Sequence, residues 1–115
     1  MAIPASIADR LSIPVIGSPL FIISNPDLVL AQCKAGVIGS FPSLNARPIE
    51  QLDEWLARLN EEIGAARQAN PAAKIAPYAV NLIVHKSNNR IEEDLALCVK
   101  HKAPIVITSL GAREE

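Results

Sequence analysis

Short, nearly continuous apolar runs alternate along this chain with longer stretches in which apolar residues return every third or fourth position. The short runs predict buried strands, and the longer stretches predict helices with one buried side. The first run, Ile13-Pro14-Val15-Ile16, stops at Gly17-Ser18-Pro19, residues that cannot continue a ladder. Ser24-Asn25-Pro26-Asp27 supplies a capping side chain, a proline at the first helical position and an acid in the first turn. It predicts a helix from Pro26 to Lys34, with Gly36 as its stop. Val37-Ile38 opens a second strand, ended by Gly39-Ser40 and a loop carrying Pro42, Ser43 and Asn45.

Pro48 opens a second helix, in which Ile49, Leu52, Leu56, Leu59 and Ile63 form one apolar stripe. Glu50, Asp53, Glu54, Arg58, Glu61, Glu62 and Arg67 fall mostly off that stripe and read as a solvated face, while Trp55 beside it reads as packing. Asn70-Pro71 ends the helix. Ile75 to Ile83 is a third strand, with Pro77 near its start and Asn81 late in it. Ser87-Asn88-Asn89 caps a third helix, Arg90 to Lys102, with Glu92, Glu93 and Asp94 at its positive end and Lys100, His101 and Lys102 at its negative end. Ile91, Leu95, Cys98 and Val99 make its apolar face. Pro104 to Leu110 is a fourth strand closed by Gly111, and Ala5 to Leu11 predicts a helical lead-in covering the bottom of the sheet.

The order is βαβαβαβ with short connections, which calls for parallel strands and right-handed crossovers. A doubly wound sheet and an eight-stranded barrel both begin this way. Ala112 to Glu115 stop where a fourth helix would begin, leaving an apolar strand with an open edge. The expectation is therefore the first half of a TIM (β/α)8 barrel, with residues 1–115 as the N-terminal part of one domain. Its open edges at strands one and four would favour self-association.

A length of 115 residues and a hydrophobic fraction of 50% allow a real core, and 3% aromatics make that core aliphatic. A net charge of −1, with no basic cluster interleaved with aromatics, argues against a nucleic-acid partner. The run from Ile13 to Ile23 is broken by Gly17-Ser18-Pro19 and is too short for a bilayer, which needs about 20 residues. No apolar segment resembling a signal peptide precedes Leu11. Cys33 and Cys98 lie far apart, outside any metal spacing, and read as buried reduced thiols of a cytoplasmic protein.

The candidate chemistry lies where the strands end. Gly17 and Ser18 carry almost no side chain and Pro19 has no backbone donor, so a flat ligand could lie on this main chain. Asn81 is an amide in an apolar strand and needs partners, which a ligand can supply. His85 follows strand three on the same side and reads as a surface loop residue, and His101 as a solvated residue at a helix end. Gly17-Ser18-Pro19 lacks the glycines of a phosphate loop.

Ile13 to Leu20, Leu28 to Gly39, Val80-Asn81-Leu82 and Pro104-Ile105-Val106-Ile107-Thr108 together resemble the nitronate monooxygenase family, also called 2-nitropropane dioxygenase-like. The similarity runs through essentially the whole chain, in order. It implies an eight-stranded barrel that binds FMN at the carboxyl ends of its strands and oxidises alkyl nitronates with O2 to carbonyl compounds, releasing nitrite. Ser18-Pro19-Leu20 falls on the family's Ala-Pro-Met loop, whose backbone lies against the flavin ring. Asn81 falls on an asparagine that can bond the flavin, and Thr108, Ser109 and Gly111 reach the same rim. Ser18 and Leu20 depart from the family's alanine and methionine, which leaves the subgroup open. The family's catalytic histidine belongs to a Gly-rich segment beyond strand four and matches neither His85 nor His101. The resemblance thus implies no catalytic residue within this chain, and weak FMN binding by the chain alone. The alternatives are a related flavin barrel reduced by NAD(P)H, acting on enoyl thioesters or quinones, and a non-catalytic half barrel.

Overall fold

The computed structural model describes residues 3–110. The elements are α1 (Ala5–Ala8), α2 (Pro26–Lys34), β1 (Gly39–Pro42), one turn of 3-10 helix (Ser43–Asn45), α3 (Ile49–Ala69), β2 (Tyr78–Ile83), α4 (Ile91–Lys100) and β3 (Ile105–Ser109). The three strands form one parallel sheet in the order β1-β2-β3. Ile16 adds a parallel bridge to Ile38, just before β1. The four predicted strand segments thus lie side by side in chain order.

The first segment is shorter than its sequence predicts. Only the bridge forms, through Gly17 N–H to Ile38 O at 2.7 Å and Ile38 N–H to Val15 O at 3.2 Å. Pro14 and Pro19 bracket the run and have no N–H to give, and Val15 and Ile16 stay about half exposed (45% and 50%). The second strand differs in the other direction. Gly39 and Ser40, read as its end, lie inside it. A Cβ on Gly39 would stand 2.6 Å from the main-chain oxygen of Val29 in α2. Glycine is there because helix and strand backbones nearly touch.

α2 starts and stops as its sequence predicts. Asn25 Oδ1 accepts from Leu28 N–H at 3.0 Å, and Gly36 takes φ +84°. Gly36 N–H bonds Cys33 O, and Val37 N–H bonds Gln32 O, closing a Schellman cap. α4 uses the same cap without a glycine. Lys102 takes φ +54° while Lys102 N–H bonds Val99 O and Ala103 N–H bonds Cys98 O, so the helix ends at Lys100.

The sheet has two faces with different partners. Phe41, Tyr78, Val80 and Leu82 point to the helices and pack with Val29, Leu30 and Cys33 of α2, Leu52, Leu56, Leu59 and Ile63 of α3, and Cys98 of α4. Trp55 meets Phe41 edge to face, with ring centroids 5.6 Å apart. On the opposite face Ile38, Ala76 and Ala79 pack with Ile105 and Ile107, covered at the bottom by Ile7 and Leu11 of the lead-in segment. Val99, expected on the apolar face of α4, is 70% exposed, and Asp94, one of the three acids expected at its positive end, is fully buried. α4 turns Asp94, not Val99, toward the sheet.

Candidate functional site

Parallel strands deliver all their following loops to one end, and this end collects the polar groups of the face turned away from α2, α3 and α4. Pairing sets Ser40 beside Ala79 and Ile105, then Pro42 beside Asn81 and Ile107 one step further along. Below lie Ile38, Ala79 and Ile105, and above lie Asn81 and Ser109. The face turns from apolar to polar toward the carboxyl rim.

Asn81 is buried. Its Nδ2 donates to Ile107 O at 3.1 Å and to Ser109 Oγ at 3.2 Å. Both amide hydrogens are thereby used, which fixes the flip of the side chain. Among the described residues no donor reaches Oδ1, which leaves one oriented acceptor at the rim. Two of the sequence candidates, Asn81 and Ser109, are thus in direct contact.

The loop of Ser18, Pro19 and Leu20 leaves the first segment at the same end. Ser18 and Leu20 are exposed and Pro19 is partly covered. Gly17 is held from two sides. Ser40 Oγ donates to Gly17 O, and a Cβ on Gly17 would stand 2.5 Å from the Gln32 amide. No hydrogen bond joins this loop to Asn81 or Ser109 among the described residues.

Asn45 holds the far part of the loop. Its Nδ2 donates to Leu20 O at 3.0 Å and Ser24 O at 2.8 Å, while Oδ1 accepts from Ile22 N–H at 3.0 Å. Ser24 Oγ accepts from Leu20 N–H at 2.7 Å. These bonds hold Ile22 at φ +69°, unfavourable for a β-branched residue. Leu20, Phe21, Ile22 and Ile23 face solvent, and the Arg47 guanidinium lies 5.8 Å from the Phe21 ring centre. Sequence reading placed Asn45 in a loop and gave it no role, because its partners are main-chain atoms more than twenty residues away.

A second missed feature supports the rim from below. Asp94 accepts from Ser43 Oγ at 2.7 Å and from Arg90 Nη2 at 2.9 Å, and Arg90 Nη1 donates to Ala46 O at 2.7 Å. This cluster ties the loop after β1 to the loop after β2.

His85 is exposed and bonded to Ser87, at 2.8 Å to its Oγ and 3.1 Å to its N–H. It lines an open cleft of about 320 Å³ with Val84, Lys86, Asn88 and Ile91. His101 is the C-cap residue of α4, as its position predicts, but it is not solvated. Its ring is 15% exposed and lies 2.5 Å from Asp53 Oδ1, bridging α4 to α3. Cys33 and Cys98 are free and buried. Burial raises both thiols, Cys98 to about 11, so neither is a ready nucleophile. Among the described residues no group of His, Cys, Asp and Glu is placed to hold a metal ion, and no helix is long and apolar enough to cross a membrane. Gly111 lies outside the described residues. Compared with known proteins, the chain matches no family model, no curated protein and no solved structure.

Proposed function

We propose that this chain is the ring-binding part of an FMN-dependent oxidoreductase of the nitronate monooxygenase type, built as the opening half of a (β/α)8 barrel. The strand segments follow one another in chain order without the reversal that marks a doubly wound sheet, and α2, α3 and α4 share one face, as the barrel reading requires. The observation that carries the functional reading is Asn81, whose amide is locked by Ile107 and Ser109 with its oxygen free, at the same sheet end as the bare Ser18-Pro19-Leu20 loop.

The residues present fit a flavin ring. Main chain at Ser18 and Pro19 offers a flat floor, and Asn81 Oδ1 offers an acceptor for the imide N–H of the ring. Ser109, donating or accepting through its hydroxyl, lies beside it. When bound there, FMN would supply the redox chemistry between an alkyl nitronate and O2. The chain itself orients the ring and shields it: Leu20, Phe21 and Ile22 present apolar surface that excludes water and suits an alkyl substituent. The resemblance places the base and the phosphate anchor outside the residues that match here.

Titration of the protein with FMN, followed by flavin fluorescence, tests the ring site. Asn81→Ala should weaken binding about tenfold, the size of one hydrogen bond to a buried partner. Unchanged affinity in that variant removes Asn81 from the site. For the reaction, anaerobic bleaching of the bound flavin by an alkyl nitronate supports this reading, whereas bleaching by NADH or NADPH alone favours the reductase alternative.

A further inference from the structure

Two loops meet at the carboxyl rim, and one side chain joins them. Asn45 ends the 3-10 turn after β1. Its amide engages three main-chain groups of the turn that continues the Ser18-Pro19-Leu20 floor, donating to Leu20 O and Ser24 O and accepting from Ile22 N–H. The turn also closes on itself, through Leu20 N–H to Ser24 Oγ and Ser24 N–H to Leu20 O at 2.9 Å. Both polar groups of the Leu20 main chain are thereby satisfied within the turn, and the floor ends in an apolar surface.

Ile22 is the strained point of this turn. Its φ of +69° crowds the Cβ of an L-residue, most severely a branched one. The side chain is 76% exposed, so packing does not hold that conformation. The hydrogen bonds of Asn45 to Ile22 and to its neighbours on either side hold it. Asn45 is itself fixed from behind: Ser43 Oγ donates to Asp94 and Ala46 O accepts from Arg90, which anchors the 3-10 turn to the start of α4.

We propose that Asn45 is the positioning residue of the ring site, holding the floor loop in the shape that accepts the flavin by keeping Ile22 in its left-handed conformation. This role rests on the flavin reading and adds to it a residue that touches no ligand. Without Asn45 the left-handed state of Ile22 becomes the minor one, and affinity for the ring falls in proportion to its population.

The test is a double-mutant cycle on the full chain, read by titration with FMN and flavin fluorescence. Asn45→Ala should weaken FMN binding about tenfold in the wild-type background, because the accepting loop is then a minor population. In the Ile22→Gly background the same change should cost about twofold, since glycine takes positive and negative φ about equally. Hydrogen exchange at the residue 22 amide should quicken in both proteins carrying Asn45→Ala, so the smaller loss cannot come from a restored bond. Residues 18–23 and Asn45 belong to neither apolar cluster, and all four proteins should unfold cooperatively. An equal loss of affinity in both backgrounds, or no loss in either, would overturn the positioning role and leave the flavin reading standing. Failure of the wild-type chain to bind FMN would instead remove the flavin reading, and the role of Asn45 with it.

Discussion

A carboxylate with no solvent exposure sits in the first turn of α4, directly after two other acids. Glu92 and Glu93 are exposed, and Asp94 is at 0%. Helical spacing separates them: Asp94 follows Ile91 by three and precedes Cys98 by four, so it lies on the packed side of the helix. Its buried charge is matched by Arg90 and Ser43. Removing it leaves a guanidinium and a hydroxyl without their acceptor, so Asp94→Ala should cost about 3 kcal/mol in urea unfolding, and Ser43→Ala about 1 kcal/mol. The two cysteines give a second check at this scale. With both thiols raised by burial, the folded chain should resist alkylation at pH 8 and react fully once unfolded. Rapid native labelling of Cys33 or Cys98 would contradict the burial described here.

Glycines show how much of an element can be read before its neighbours are known. Gly36 was legible, because a stop after a helix is local chemistry. Gly39 was not: it reads as a turn in sequence but serves the contact between α2 and β1, a fact of packing. Gly39→Ala should therefore destabilise by about 2–3 kcal/mol, since the nearest atoms belong to a helix backbone that cannot swing aside. Gly64→Ala, in the middle of α3 with open space beside it, should instead stabilise by about 1 kcal/mol through helix propensity. Thermal unfolding of the pair should show shifts of opposite sign. The tie between α3 and α4 has its own signature. Hydrogen bonds from His101 first, then Lys100, lower Asp53 from its ordinary value of 3.8. A lowered acid contributes stability above its unfolded value and loses it as pH falls through the folded one. The difference in melting temperature between wild type and Asp53→Asn should be full above about pH 4 and shrink progressively in more acidic buffer.

Across the whole molecule, the alternation of runs and periodic stretches foretold the order of elements and their parallel arrangement, because each connection is too short for any other choice. It did not foretell how little of the first segment would pair. Pro14 and Pro19, which have no N–H to give, limit that pairing, and Ile13, Val15 and Ile16 stand about half exposed at this edge. At the other edge Val106 is 40% exposed and, among the described residues, β3 pairs on one side only. Two open parallel edges, one at each side of the sheet, can pair between copies while every strand keeps its direction. Sedimentation velocity over a range of concentrations should accordingly show association of this chain. A lysine at either edge, Ile16→Lys or Val106→Lys, should weaken it about tenfold by placing a charge where a neighbouring strand would lie. A lysine on the solvated side of α3, at Gln68, should leave it unchanged. Equal effects of all three would assign the association to a surface other than the sheet edges.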